Sequence, residues 1–417
     1  HKIVAVCAST QSEGTVAVDE DGSVLYPAIL WLDMRGAKAI QQRAGAGVVK
    51  VAGYNARYLT RWIRLTGGAP ALSGKDQAAH ILYLKQEMPD VYHRAYKFLN
   101  VPDYINYRLT NRMVATADSA LTSWVTDNRD LKNIGYDKRL VGILGIDREK
   151  LPDVVSSTDV VGTLNAPVAE QLGLSTDVVV VAGSIDVSAA AVGSGAVGDG
   201  QVQLYVGTSS WFGAHIPDKR TSLASQIASV PCALPDRYLT IAMQSAAGAN
   251  LSFLRDQVIL NKDELLRDDE QPDVYRLLDQ VAARVPAGSR GVLYTPWLFG
   301  ERTPVDNSDI RASLLNVSMG HNREDIIRAV LEGVALNTRW MFDVLKKFLS
   351  RYSIEEVTIV GGGGASDVWC RIFADVMNVR IRQIESCLQA NVLGSAFIAG
   401  VGIGAMRYDD VSHRSRT

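Results

Sequence analysis

Three apolar runs in this chain end in turns of small residues, and that repetition constrains the fold more than any other feature. Lys2 to Cys7 leads into Ala8-Ser9-Thr10-Gln11, Val178 to Ala182 into Gly183-Ser184, and Val357 to Val360 into Gly361 to Gly364. A short apolar run bounded by a turn signal reads as a buried strand, which in a parallel or mixed sheet delivers a loop at its carboxyl end. After the first run, Thr15-Val16-Ala17-Val18 and Val24-Leu25-Tyr26 flank Asp21-Gly22, and a D-G pair between alternating runs is a strong hairpin signal. Antiparallel strands are therefore expected beside parallel ones in a mixed sheet.

The chain has 417 residues, more than one compact core holds at roughly 100 to 200 residues per domain, so two domains with a cleft between them are expected. Residues 1–177 are assigned to an N-terminal domain and 178–417 to a C-terminal one. The stretch from Ser73 to Thr176 reads as mostly helical and loop-like, with breaks at Pro89, Pro102 and Pro152. Ile327, Val330, Leu331, Val334, Met341, Leu345 and Phe348 hold a 3.6-residue period that predicts a helix over 324–349, with acids opening it and Lys346-Lys347 closing it. A net charge of −2, with no basic face or tail, argues against nucleic acid as a partner. Val178 to Val197 is apolar but carries Asp186 near its centre, at a cost of roughly 2.5 to 3.5 kcal/mol in a bilayer, so no membrane segment is expected. The cysteines at 7, 232, 370 and 387 form no C-x-x-C pair or zinc spacing, which fits a reducing cytoplasm.

Four motifs could carry chemistry, and each also has an ordinary structural reading. Asp186 follows a strand and precedes Val187-Ser188-Ala189-Ala190-Ala191; it reads as a helix N-cap or as a general base at a strand's carboxyl end. Val206-Gly207-Thr208-Ser209-Ser210 reads as a hairpin turn or as a backbone concavity for phosphate. Gly361-Gly362-Gly363-Gly364-Ala365-Ser366 precedes a helix from about Val368 to Met377. It lets a flat ligand approach bare backbone, yet it is neither a Walker loop nor a G-x-G-x-x-G fingerprint. In Gly300-Glu301-Arg302-Thr303-Pro304 the adjacent Glu and Arg read as a solvated or structural ion pair. His80, His93, His215 and His321 have no companion at ligand or triad spacing and read as core or surface histidines.

In order and spacing, these blocks resemble the FGGY carbohydrate kinases, particularly the xylulose kinase branch, over nearly the whole chain. The match is carried by Ser9-Thr10-Gln11 through Ala28 to Arg35, Val101-Pro102-Asp103-Tyr104 with Asp118-Ser119-Ala120, and Ala182 to Asp186 through Gly207 to Ser210. It continues in Phe299 to Pro304 through Arg328 to Gly333, and in Gly361 to Ala365 through Phe373 to Val376. The resemblance implies an α/β fold of two actin-like (ribonuclease H-like) domains, each a mixed sheet flanked by helices, closing on ATP, Mg2+ and a sugar. By it, Asp186 takes a proton from a hydroxyl of a xylulose-like ketose, and Gln11, Glu13 and Asp103 line the sugar pocket. Gly207, Thr208 and Ser209 would hold the ATP phosphates, and Gly362, Gly363, Gly364 and Ala365 the adenosine. Metal ligands stay unassigned, and a second copy of the chain is a candidate partner.

The chain departs from that pattern in several places. Typical xylulose kinases carry a His where this chain has Glu13 before Gly14, which exchanges a donor for an acceptor. They follow the catalytic Asp with Asn, where this chain has Val187. Gln389-Ala390 and Ala312 replace a Glu and a Gly often seen in the family. Family members also open with an Asp-x-Gly-Thr loop that touches the γ-phosphate, and His1 lies beyond it, inside an apolar run. The polypeptide is therefore expected to be longer; without that opening the first sheet should expose an apolar edge and turnover should be near absent. Two other readings stay open: a glycerol or other polyol kinase, suggested by Glu13 following Gln11, and a catalytically silent nucleotide-binding member.

Overall fold

The computed structural model of the chain describes residues 2–259 and 274–414. In its first half, β1 (Ala5–Thr10), β2 (Val16–Val18), α1 (Gln77–Glu87), β3 (Lys97–Leu99), α2 (Val101–Thr110), β4 (Val160–Thr163), β5 (Val179–Ile185) and α3 (Asp186–Gly193) set up the site. β5 lies between β1, to which it is parallel, and β4, to which it is antiparallel. β1 and β5 approach closely at Gly183, whose φ is 76° and where a Cβ would stand 2.2 Å from the Ala8 carbonyl oxygen. Only glycine fits there.

Two expectations are corrected by this sheet. The division placed at 177/178 falls inside one ladder, because β4 and β1 on one side of it both pair with β5 on the other. Strand pairing across some 170 residues is invisible to a local reading, and the chain leaves the first sheet only after α3. Likewise the stretch from 73 to 176 was expected to be mostly helical and loop-like, yet it also contributes strands, β3 and β4 among them, the latter because β-branched Val160-Val161 beside a buried strand packs well on a pleated surface. The Asp21-Gly22 turn forms as expected, with Gly22 at φ 76° and Val18 bridged to Val24. Its strand β2 pairs with β3 rather than with β1, so the mixed character of the first sheet comes from β4.

The second half contains β6 (Val202–Val206), β7 (Ser210–Ile216), β8 (Thr221–Ser222), β9 (Ile227–Pro231), β10 (Tyr238–Gln244), α4 (Gly248–Phe253), α5 (Arg323–Phe348), β11 (Glu356–Val360), α6 (Asp367–Met377), β12 (Arg380–Gln383) and α7 (Ala390–Gly402). These strands form one seven-stranded sheet in the order β8-β9-β10-β7-β6-β11-β12, with β6 parallel to β11 and antiparallel to β7. The helix expected over 324–349 is α5. Asn322 caps it, accepting from the Glu324 and Asp325 N–H groups, while Asp325 accepts from the Asn322 N–H. Its Leu331, Val334, Phe342 and Leu345 bury against Leu204 and Phe212 of the sheet.

The other face of that sheet meets the first half through α3 and α7. A Cβ on Gly193 would lie 1.8 Å from the Ala390 carbonyl oxygen, and one on Gly394 would lie 1.8 Å from that of Ala189. The two helix backbones therefore touch. Further bridges run from Lys219 Nζ to the Ile63 carbonyl (2.8 Å), from Thr221 Oγ1 to that of Gly67 (2.7 Å) and from Tyr238 Oη to that of Asn128 (2.7 Å). Among the described residues no helix is long and apolar enough to cross a membrane.

Candidate active site

Apart from Gly300 to Pro304, the loops singled out in the sequence leave carboxyl ends of the two parallel pairs. Gln11 and Glu13 follow β1, Asp186 follows β5, Gly207 to Ser209 follow β6, and Gly361 to Ala365 follow β11. Open α/β sheets place their ligands at such ends.

Asp186 is the first residue of α3, and the N-cap is Ile185. Its Oδ1 accepts from the Val187 N–H at 2.8 Å, and the group is half-buried. The cap reading thus gives way to a carboxylate held at the start of a helix. Burial raises its pKa, the Val187 N–H opposes that, and the charge of Asp118 adds to it. Asp118 itself is fully buried and ties the junction together: its Oδ2 accepts from the Ile185 N–H at 3.2 Å and its Oδ1 from Thr116 Oγ1 and the Ser119 N–H.

The phosphate-loop candidate is a tight turn docked on α4. The Gly207 and Thr208 carbonyls accept from the Gly248 and Ala247 N–H groups at 2.8 and 2.9 Å. This leaves Thr208 exposed at the tip. In the glycine run, Gly361 has φ 86° and packs against the Val206 carbonyl, and residues 362–365 form one short turn. The four glycines differ in what surrounds them. A Cβ on Gly363 would stand 2.4 Å from Val206 Cγ1, whereas at exposed Gly362 it would meet nothing within 4 Å. Gly362 is the position open to a ligand.

Tyr205, which no sequence motif singles out, joins these loops. Its ring stacks on Trp211 at 5.5 Å between centroids, lies against both Gly207 and Gly361, and feels the charge of Asp186.

Glu13 adopts φ 61°, a left-handed conformation uncommon outside glycine. Burial raises its pKa; the charges of Arg302 and Lys75 oppose this, and that of Asp186 adds to it. Arg302 comes from the second half of the chain, so charges from both halves act on Glu13. The expected Glu301–Arg302 ion pair is not what forms. Glu301 is buried and accepts from the Ser245 and Arg302 backbone N–H groups and from the Asn337 amide, and the Arg302 charge acts on both Glu301 and Glu13 without a side-chain contact to Glu301. Gln11 is half-buried at the end of β1.

Asp103 is placed differently. It is 1% exposed, at the third position of α2, where it accepts from the Asn100 N–H at 3.0 Å and from Ser119 Oγ at 2.7 Å. Burial lifts its pKa to about 7. A carboxyl so enclosed holds α2 onto the 116–119 turn and does not line an open pocket. His80 and His215 are buried and bonded to Thr15 and to the Ala196 carbonyl, as core histidines should be.

Residues 1–193 match the N-terminal domain of the FGGY family of carbohydrate kinases, and residues 202–403 match its C-terminal domain. A xylulose kinase of Staphylococcus epidermidis is 28% identical over 407 residues, covering 95% of this chain and 73% of the relative. A gluconokinase of Bacillus subtilis is 27% identical over 402 residues, covering 94% of this chain and 74% of the relative. In fold, the chain superposes on a ligand-bound xylulose kinase from Lactobacillus acidophilus with a TM-score of 0.83 at 24% identity, over 100% of this chain and 79% of that one. A Plasmodium falciparum glycerol kinase with ADP gives 0.80 at 19% identity, over 99% and 78%. Two family domains following one another in the order of the two sheets make the chain a member of the FGGY family of carbohydrate kinases.

Proposed function

We propose that this carbohydrate kinase transfers the γ-phosphoryl group of ATP to a hydroxyl of a xylulose-like ketose, with Asp186 as general base. The observation that carries the reading is Asp186 itself: a carboxylate with a raised pKa, held half-buried at the start of α3, whose charge acts on Tyr205 and Glu13. In the reaction, Asp186 takes the proton as the sugar oxygen bonds to the γ-phosphorus and the bond to ADP breaks. Such transfer asks the protein mainly for positioning and charge. The turn at 207–209 would face the phosphates, and exposed Gly362 with its neighbours 363–365 the adenosine. Gln11 and Glu13 would accept from sugar hydroxyls, with Asp103 supporting them from inside the domain.

Among the described residues no three His, Cys, Asp or Glu side chains gather to hold a metal. A magnesium ion would fit as it does where one or two carboxylates share it with substrate phosphates. It would neutralise phosphate charge.

The relatives' names supply the test panel. Initial rates on D-xylulose, D-gluconate and glycerol in one coupled assay should rank xylulose first, and Asp186→Asn should lower kcat roughly 100-fold or more while sugar binding persists. Near-parental turnover in that variant would rule out the base.

A further inference from the structure

Asp76 occupies the N-cap of α1, where an Asp side chain ordinarily bonds the helix's free N–H groups, yet its side chain makes no capping bond. It is 2% exposed and turned the other way. There it accepts from the Ala71 N–H and meets the carboxyl of Glu13. The indole N–H of Trp124, buried and without another partner, faces it too. Two carboxyl groups in contact and shielded from water cannot both ionise cheaply. The chain nevertheless forgoes a cap at Asp76 and accepts left-handed backbone at Glu13 and at Trp124, whose φ values are 61° and 53°, to bring these groups together. Strain of this kind persists where the surroundings fix a functional geometry.

We propose that Glu13 and Asp76 act as one acid pair sharing a single proton, in which Asp76 donates to Glu13 and so aims the Glu13 carboxylate at sugar hydroxyls beside Asp186. Asp76 is a positioning residue that works through Glu13. The charged and titratable groups facing the pair are Arg302 and Lys75, which favour the ionised Glu13, Asp186, which opposes it, and Tyr54, which feels Asp76. Burial and the neighbouring carboxylate raise Asp76 well above the ordinary carboxyl range, and burial raises Glu13 as well. The substrate class that suits such a subsite presents adjacent hydroxyls as donors to a fixed carboxylate, and a sugar lacking one of them should be rejected.

The proposal rests on reading this cleft as a sugar site, and two measurements separate the two ideas. The first follows the binding of D-xylulose, D-gluconate and glycerol by calorimetry as pH rises from 5.5 to 9. The tightest of the three should weaken about tenfold as the pair loses its shared proton, since a charge-assisted hydrogen bond is worth at least that factor. Asp76→Asn, a neutral donor at every pH, should bind at neutral pH like the parent and show a flat profile. Asp76→Ala should weaken binding at every pH, with KM rising more than kcat falls. A profile in Asp76→Asn that parallels the parent overturns the acid pair. Binding of none of the three sugars by the parent overturns the sugar site and with it the proposal.

The second measurement needs no sugar. A carboxyl whose pKa is raised on folding stabilises the protein fully below its unfolded value of roughly 4 and loses that contribution as pH rises through the folded value. Thermal melts of the parent should fall with pH across that window, and those of Asp76→Asn should fall less. Equal slopes in the two proteins would show that no proton is shared.

Discussion

Asp186 and Gly362 are the residues on which single substitutions speak most directly. Because burial raises the Asp186 pKa, the acid limb of kcat/KM should lie above the usual carboxylate range near roughly 4, with activity lost as pH falls through it. A pH-rate profile of the parent reads this limb. In the glycine turn the structure separates two substitutions that look alike in sequence. Gly363→Val would drive a side chain into Val206, so its melting temperature should drop by several degrees, as overpacking of about 1 to 3 kcal/mol would cause. Gly362→Val has open space. It should fold normally and lose nucleotide affinity by calorimetry; unchanged affinity there would move the adenosine elsewhere. Asp186 and this turn were legible from the sequence because each stands directly after an apolar run. Asp76 was not, since Asp76-Gln77 before a helix reads as a cap, and only the fold shows the side chain turned toward Glu13.

At the scale of elements, Asp103 shows how a motif can be recognised and its role still be misread. The Val101-Pro102-Asp103 block marks the start of α2 correctly, with Pro in the first turn and a capping box between Asn100 and Asp103. Nothing local says whether that carboxylate faces ligand or core. Its pKa of about 7 makes a prediction. The folded protein holds a proton there that the unfolded chain releases near roughly pH 4, so stability from this group is full below that pH and lost as pH rises through about 7. Asp103→Asn should flatten the pH dependence of the melting temperature across this window and leave the ranking of a sugar panel unchanged. A changed ranking would return Asp103 to the pocket. α5 was the easiest element to read, because one apolar face, a cap and oppositely charged ends all agree over 26 residues.

For the molecule as a whole, the contact between α3 and α7 matters most, since α3 begins with Asp186 and α7 belongs to the C-terminal family domain. The two backbones touch at Gly193 and Gly394, where a Cβ would fall 1.8 Å from a carbonyl oxygen. Gly394→Ala should push the helices apart, lowering the melting temperature and also kcat through displacement of Asp186. Gly142→Ala, where the new Cβ meets nothing within 4 Å, is the control and should be neutral or slightly stabilising. If Gly394→Ala melted like the control with full turnover, the crossing would not transmit position to the site.

The sequence by itself determined the strands that deliver the loops, the long helix, the carboxylate at a strand's end and the glycine turn, because burial and turn chemistry act over a few neighbouring residues. It also determined the family, through the order of its blocks. Only the tertiary structure decided that β5 returns to β1 and moves the domain division past α3, that Glu301 is anchored while the charge of Arg302 acts on Glu13, and that Tyr205 joins the turns after β6 and β11. It alone turns Asp76 from its helix toward another acid. Each of these depends on pairings between residues far apart in the chain, where desolvation and charge are set by what the fold brings alongside.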